Sequence, residues 1–331
     1  MATWRGILFG RTPWTPERTG ASNEGPKQKR RRHICGPEQM QEDNMTNGRS
    51  ASDFVLPRRM AMATIHGKER ALSASFAAIG IDLVLPSALD TDQFGTFTRD
   101  RPRSGTMLEA ARAKAQAAMQ ETGLQAALAS EGAYGPHPTI PLLAVGRELL
   151  LYVDAAQGFE IAEMRIDERP TFGHCPAVSV GDADAFLERI GFPEQGLVVA
   201  PVGRLNAPVA KGIRTVADLE IAIGTAVGLS PTGRAHIETD MRAFMNPRRM
   251  VVIGEVGRQM AARLSTPCTH CRHPGWGKVR TEYGLPCSLC GCPTSLPRHD
   301  VFGCVSCGVE ERREHALGAV ADPTYCALCN P

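Results

Sequence analysis

What this chain lacks narrows its class before any motif is considered. It lacks a charge excess: 37 lysines and arginines against 35 aspartates and glutamates leave a formal net charge of +2 over 331 residues. A dedicated nucleic-acid binder carries a strong basic surplus, so nucleic acid is not expected as the main partner. It lacks an apolar run of membrane-spanning length, which argues against an integral membrane protein. The charged-then-apolar layout of a secretory signal is missing from the first residues, and a cytoplasmic location is expected. Cysteine is nearly missing from the first 267 residues: nine of the eleven come later, eight of them in evenly built pairs. That distribution fits metal binding in a reducing compartment better than a disulfide framework.

What is present divides the chain into three stretches. Residues 1–60 carry Gly, Pro, Ser, Asn and charge without apolar periodicity, including the run Lys27-Gln28-Lys29-Arg30-Arg31-Arg32. They read as a disordered N-terminal extension with a solvated basic run, the functional protein being expected to begin near Met60 and Met62. Residues 61–264 read as an α/β domain, a mixed sheet with helical cover. Residues 265–331 read as a small zinc-ribbon-like module holding two four-cysteine sites.

Within the α/β stretch, Ala63-Thr64-Ile65 ends a short strand, and the turn His66-Gly67-Lys68-Glu69 opens an apolar helix that runs to Ile79. Residues 81–86 form a second strand leading into Asp90-Thr91-Asp92. An alanine-dense helix follows over 106–122, with Gly123 placed for a left-handed C-terminus. Residues 124–129 are the next strand, emptying into a loop over 130–138. Residues 148–154 and 159–166 make a hairpin around the turn 155–158, and 197–201 is another buried strand. Asn246 caps a last helix with Pro247 at its first position. Met250, Ile253, Gly257, Met260 and Leu264 recur there at helical spacing, and the helix runs straight into the first cysteine pair, which joins the two modules rigidly.

The cysteine pairs are Cys268-x-x-Cys271, Cys287-x-x-Cys290, Cys304-x-x-Cys307 and Cys326-x-x-Cys329. Two thiolates two residues apart in a tight turn take two corners of a tetrahedron, so two such knuckles complete one structural zinc site. Fifteen residues separate the first two knuckles and eighteen the last two, and both gaps suit a hairpin. Sequential pairing is the simplest arrangement; interleaved and nested pairings also satisfy the spacing. Cys292 is expected as a spare thiol. His270, His273 and His299 find no vacancy in two complete sites, and closed four-thiolate sites leave zinc no position for chemistry.

Four polar segments carry candidate chemistry. His66-Gly67-Lys68, Asp90-Thr91-Asp92 and Ser130-Glu131-Gly132 with His137 each follow a strand, where open α/β sheets place their ligands. A Gly-Lys turn opening a helix holds phosphate through backbone N–H groups and a cation. Asp90, Asp92, Glu131 and Asp154 are candidate magnesium ligands. His137, stiffened between two prolines, is a candidate acid or base. The fourth segment, Asp240-Met241-Arg242 running into Asn246-Pro247-Arg248-Arg249, gathers three arginines at a helix N-terminus, with Lys211 a further cation.

These segments, the cysteine-rich end and the closing Cys329-Asn330-Pro331 stand in one order that resembles a bacterial family of unknown function from about residue 62 onward, and that resemblance implies no activity. A fainter one is carried by Glu109-Ala110-Ala111-x-x-Lys114-Ala115, Thr122-Gly123-Leu124 and Gly132, which is similar to the nucleoside triphosphate pyrophosphatases acting on non-standard purines. It implies an α/β fold and magnesium-assisted release of pyrophosphate, with Glu109 linked to metal and Lys114 facing phosphate. The chain departs from that pattern at Ala110, which stands where those enzymes have Asn, and at Glu131, one residue late for their acidic pair.

Two functions are therefore expected to compete. One is a magnesium-dependent hydrolase acting on a nucleotide or other phosphorylated small molecule. In it Glu131, His137 and Asp92 are catalytic, and Lys68, Arg242 and Lys114 bind phosphate. The other is a non-enzymatic binding module whose zinc ribbons contact protein or nucleic acid. Arg298, Arg312 and Arg313 would serve it, offset by Glu310, Glu311 and Glu314.

Overall fold

Strand β1, Arg59–Ala63, is buried along nearly its whole length, and its alternate residues serve two different interfaces. Met60 and Met62 enter one apolar cluster, Ala61 and Ala63 another, so the strand is covered on both faces, as an inner parallel strand must be. The computed structural model describes residues 55–95, 105–137 and 142–331. The N-terminal extension expected over 1–60 lies outside the described residues as far as 54. Its last two positions are already part of β1.

Helix α1 (Glu69–Ala77) leads to β2 (Asp82–Val84), and helix α2 (Met107–Thr122) leads to β3 (Ala126–Pro136). Both β2 and β3 pair with β1 in parallel, one on each side. Strands β4 (Ala144–Asp154) and β5 (Phe159–Asp167) then add antiparallel, giving the order β2-β1-β3-β4-β5. This is the mixed sheet with helical cover that the sequence implies. One expectation fails within it: residues 130–136 are not a loop but the continuation of β3, paired with β4 as far as Pro136↔Ala144.

The two faces are built differently. Opposite α2, Ala111, Ala115 and Ala118 meet Ala61, Ala63, Ala127 and Ala129, small against small, so this helix lies close to the sheet. On the other face α1 packs with α5 (Pro247–Leu264) over Met60, Met62, Leu128, Leu150 and Tyr152. Each large side chain fully buried there contributes on the order of 1.5–3 kcal/mol. Gly257 sets how near the two helices come, since a Cβ on it would lie 2.4 Å from Leu72 Cδ2.

Between β5 and α5 the chain forms a second sheet that the sequence reading does not anticipate beyond its strand at 197–201. Strands β6 (His174–Ala177), β7 (Leu197–Pro201), β8 (Ala210–Ile213) and β9 (Ala235–Thr239) are all antiparallel in the order β6-β9-β7-β8. Helices α3 (Asp184–Ile190) and α4 (Val216–Leu229) cover one face of it. A third sheet, β10 (Gly277–Tyr283), β11 (Pro297–Gly303) and β12 (Glu310–Glu314), belongs to the cysteine-rich end. Arg263, in the last turn of α5, fastens that end down: its Nε donates to the Gly275 carbonyl at 3.1 Å and its Nη1 to Glu163 at 2.7 Å.

The first sheet, α5 and the chain returning from the second sheet meet at Arg249. Its Nε donates to Glu148 Oε1 at 2.6 Å, its Nη1 to the Met241 carbonyl, and its guanidinium lies 5.1 Å from the Tyr134 ring centre. The side chains of Arg249 and Glu148 are each only 1% exposed. Gly132 makes room for them, because a Cβ there would stand 2.5 Å from Arg249 Nη2. Arg249→Met strands a buried carboxylate and is expected to cost about 3–5 kcal/mol in urea denaturation. Adding Glu148→Gln removes the stranded charge and is expected to recover most of that loss.

Candidate functional site

The switch point of the first sheet lies at the carboxyl end of β1, where one crossover leaves toward β2 and the next returns to β3. Ligands of open α/β sheets bind in such a crevice. Gly67, with φ of +69°, turns the chain there so that Lys68 stands at the N-terminus of α1. Its Nζ donates to the Ser130 carbonyl at 2.8 Å and to Ser130 Oγ at 3.3 Å, with the residue 7% exposed. Burial, then the positive Arg249 and Lys114, depress the Lys68 ammonium to about 7, against the opposing pull of Glu148 and Glu131.

The other expected residues fall into place around it unevenly. Lys114, carried down to the sheet by the alanine face of α2, pairs with Glu131 on β3, so the expected phosphate ligand and the expected catalytic, magnesium-holding carboxylate face each other. Asp92 Oδ1 stands 2.9 Å from His66 Nε2 and accepts from it in the tautomer that carries the proton there. His66 stacks on Phe244, with ring centres 5.6 Å apart and planes 21° from parallel. Burial, outweighing Asp92, holds the His66 imidazole below its ordinary value, and the cations Lys68 and Arg242 act in the same direction. Arg242 grips Asp240, its Nε 3.0 Å from Oδ1, and its guanidinium lies 5.0 Å from the Phe244 ring centre.

Several expected roles go elsewhere. His137 follows Pro136, six positions along from Glu131, or about 20 Å at the rise of an extended strand. The imidazole at the crevice is instead His66, whose partnership with Asp92 follows from the switch-point rule applied to the turns after β1 and β2. The four candidate magnesium ligands do not converge. Asp90 accepts from the Asp92 N–H as a cap, and Asp154 accepts from Tyr152 and from the Gln157 N–H at the other end of β3 and β4. Glu109, assigned to metal by the fainter resemblance, closes a capping box with Thr106. Burial, with the negative Glu148 next, pushes the Tyr134 phenol far above its usual range, so it stays a donor to that carboxylate.

The metal centres are fully formed. Cys268, Cys271, Cys304 and Cys307 make one cluster, Cys287, Cys290, Cys326 and Cys329 the other. Sulfurs stand 3.6–3.8 Å apart across the knuckles. A tetrahedral zinc with bonds of about 2.3 Å requires about 3.8 Å between sulfurs, whereas a disulfide requires about 2 Å. The residues thus fit two closed zinc sites. Burial opposes the Cys268 thiolate, but the N–H groups of Cys271 and His270 and the neighbouring thiols outweigh it and bring it down to about 7. Cys292 stands outside both clusters, and its carbonyl closes the second knuckle by accepting from Cys287 N–H at 2.9 Å.

The pairing is interleaved, first knuckle with third and second with fourth. Each gap between successive knuckles holds one strand (β10, β11 or β12), where a hairpin was expected of the first and last. One strand carries the chain the length of the sheet, about 20 Å, so successive knuckles land at opposite ends. Replacing all four cysteines of the first and third knuckles by serine is expected to leave one zinc per chain. The same change in the first and second is expected to leave none. Metal analysis of the purified variants decides, and the converse pattern would establish sequential pairing.

No curated protein and no solved structure matches the chain. A family described as a domain of unknown function, DUF6671, matches residues 114–331, from the middle of α2 through the last knuckle. That is more than half of the sequence, and the chain belongs to this family.

Proposed function

We propose that the crevice at the carboxyl ends of β1 and β2, beside the middle of β3, binds the phosphate of a phosphorylated small molecule, with Lys68 as its cation. One observation carries this reading. Among the described residues, Lys114, Arg242 and Arg249 each have a carboxylate of their own, whereas Lys68 is held only by the neutral carbonyl and hydroxyl of Ser130. A buried ammonium without a counter-ion is costly, and an anion arriving at this helix N-terminus supplies one.

The reaction class that follows is hydrolysis of a phosphoanhydride, with the partly accessible His66–Asp92 pair as acid and base. A magnesium ion would arrive with the phosphates of a nucleotide, since such ions keep substrate and water as most of their ligands, and Asp92 is the carboxylate placed to meet it. The zinc centres hold the carboxyl-terminal sheet in shape, in keeping with a reducing cytoplasm. The rival nucleic-acid reading is not favoured by the third sheet, where three of four arginines are occupied, Arg280 by Glu310, Arg312 by Glu282 and Arg313 by Glu311, and Arg298 alone is exposed with no carboxylate among the described residues. No described helix is long and apolar enough to cross a membrane.

Calorimetric titration with sulfate, which does not change charge near neutrality, tests the anion site. Lys68→Met is expected to weaken binding by on the order of ten- to a hundredfold, the worth of a charge-assisted hydrogen bond of about 1.5–3 kcal/mol. The pH dependence has a defined sign. Above about 7 the free protein holds Lys68 neutral and must take up a proton to bind, so affinity falls about tenfold per pH unit; below 7 it is level. A nucleotide panel with magnesium then tests hydrolysis, and His66→Gln is expected to abolish release of phosphate or pyrophosphate. Neither sulfate nor nucleotide binding at any pH would overturn the proposal.

A further inference from the structure

A second cavity, unrelated to the crevice, lies where Tyr134 of the first sheet faces the second sheet. It encloses about 380 Å³, and among its lining residues are His174, His236 and Glu238. We propose that these three form a third metal site, for a divalent first-row transition ion bound through nitrogen and oxygen with open positions toward the cavity.

The strand pattern places the three side chains together. His236 and Glu238 are two residues apart on β9, hence on one face. His174 on the antiparallel neighbour β6 stands directly opposite Glu238 in the register, hence on the same face and adjacent. The alternate residues Ala235 and Ile237 point the other way, into the apolar cluster with Leu197 and Val199. Strand β9 thus turns Ala235 and Ile237 toward α3 and α4 and His236 and Glu238 toward the cavity, where His174 of β6 and Val198 of β7 join them.

One pair of the three, joined now by a hydrogen bond, already stands at ligand spacing. His236 Nε2 is 3.2 Å from Glu238 Oε2, close to the separation of two adjacent ligands on an ion bonded at about 2.1 Å. The His174 ring lies flat against His236, with centres 4.8 Å apart and planes 29° from parallel. In this structure the three donors are not gathered as the thiolate clusters are; His174 is at the exposed rim, and the site requires it to leave the stacked position for a rotamer that turns a ring nitrogen toward the other two. Two imidazoles and one carboxylate on a single face are the donor set that holds a divalent transition ion while leaving positions for water and substrate. The thiolate clusters are closed and soft, so this site differs from them in both ligands and accessibility. Phe172, Leu205 and Met241 supply apolar wall to the same cavity, which is therefore walled for a small organic molecule beside the ion.

The experiment uses the full chain with zinc in both thiolate clusters, titrated with Co²⁺ and followed by visible absorption. One further equivalent is expected, showing ligand-field bands without thiolate-to-cobalt charge transfer. His236→Ala and Glu238→Gln are each expected to weaken it about tenfold or more. Retention of two zinc ions and an unchanged far-ultraviolet circular dichroism spectrum certify that each variant is folded. A reading that needs no variant is selective paramagnetic broadening of the His174 and His236 ring signals in the wild-type chain. Absence of a further equivalent, cobalt entering the thiolate clusters alone, or ring signals left unbroadened would overturn the proposal.

Discussion

Arg249 has to be neutralised where almost no water reaches it, and the groups that do so come from three separate stretches of chain. Glu148 reaches it from β4, the Met241 carbonyl from the segment leaving β9, and the Tyr134 ring from β3. A guanidinium is suited to this because its planar fork directs several donors at once. The consequence is architectural. The second sheet is an insertion between β5 and α5, and Arg249 is where its exit strand is tied back to the sheet it interrupts. The crevice inherits its geometry from this tie, since Arg242 and Phe244, which approach His66, lie on the same short segment.

Charge is distributed around that tie with one cation in surplus. The Lys114–Glu131 pair lies on the α2 face, the Arg249–Glu148 pair on the α5 face, and Lys68 sits between them at the end of β1. Gathering positive charge in this way is unfavourable for the empty protein, and it is the condition under which an incoming anion gains most. The thiolate clusters work in the opposite sense. There, negative charge is concentrated until a cation completes it, and the reward is structural.

Much of the first sheet was legible because its signals are local. The left-handed Gly123 and the Asn246-Pro247 start each depend on residues within one turn, whereas the Thr106–Glu109 capping box, equally local, went unread because Glu109 was assigned to metal. The second sheet was not, because β6 and β8 are four residues each, too short for a period to declare itself. Strand β7 was legible as an apolar run, and β9, with Ala235, Ile237 and Thr239 alternating against His236 and Glu238, carries a pattern the sequence reading did not use. The eight zinc ligands were plain from spacing, yet their pairing was hidden, since it depends on whether each gap holds one strand or two. At the crevice the turn residues were legible, but the Arg249–Glu148 contact spans 101 positions and leaves no trace in either neighbourhood. His66 was visible as part of a turn, and its role waited on seeing which turn from another strand would face it.

The interleaved knuckles also impose an order on biosynthesis. A chain leaving the ribosome presents Cys268, Cys271, Cys287 and Cys290 before any of the remaining four ligands exists. The earliest complete quartet of thiolates is thus the mismatched one, and a zinc ion captured by it must be surrendered before the hairpin of β10 and β11 can close. Zinc that bound before Cys304 and Cys307 emerged would therefore have to change partners before the interleaved pairing could form.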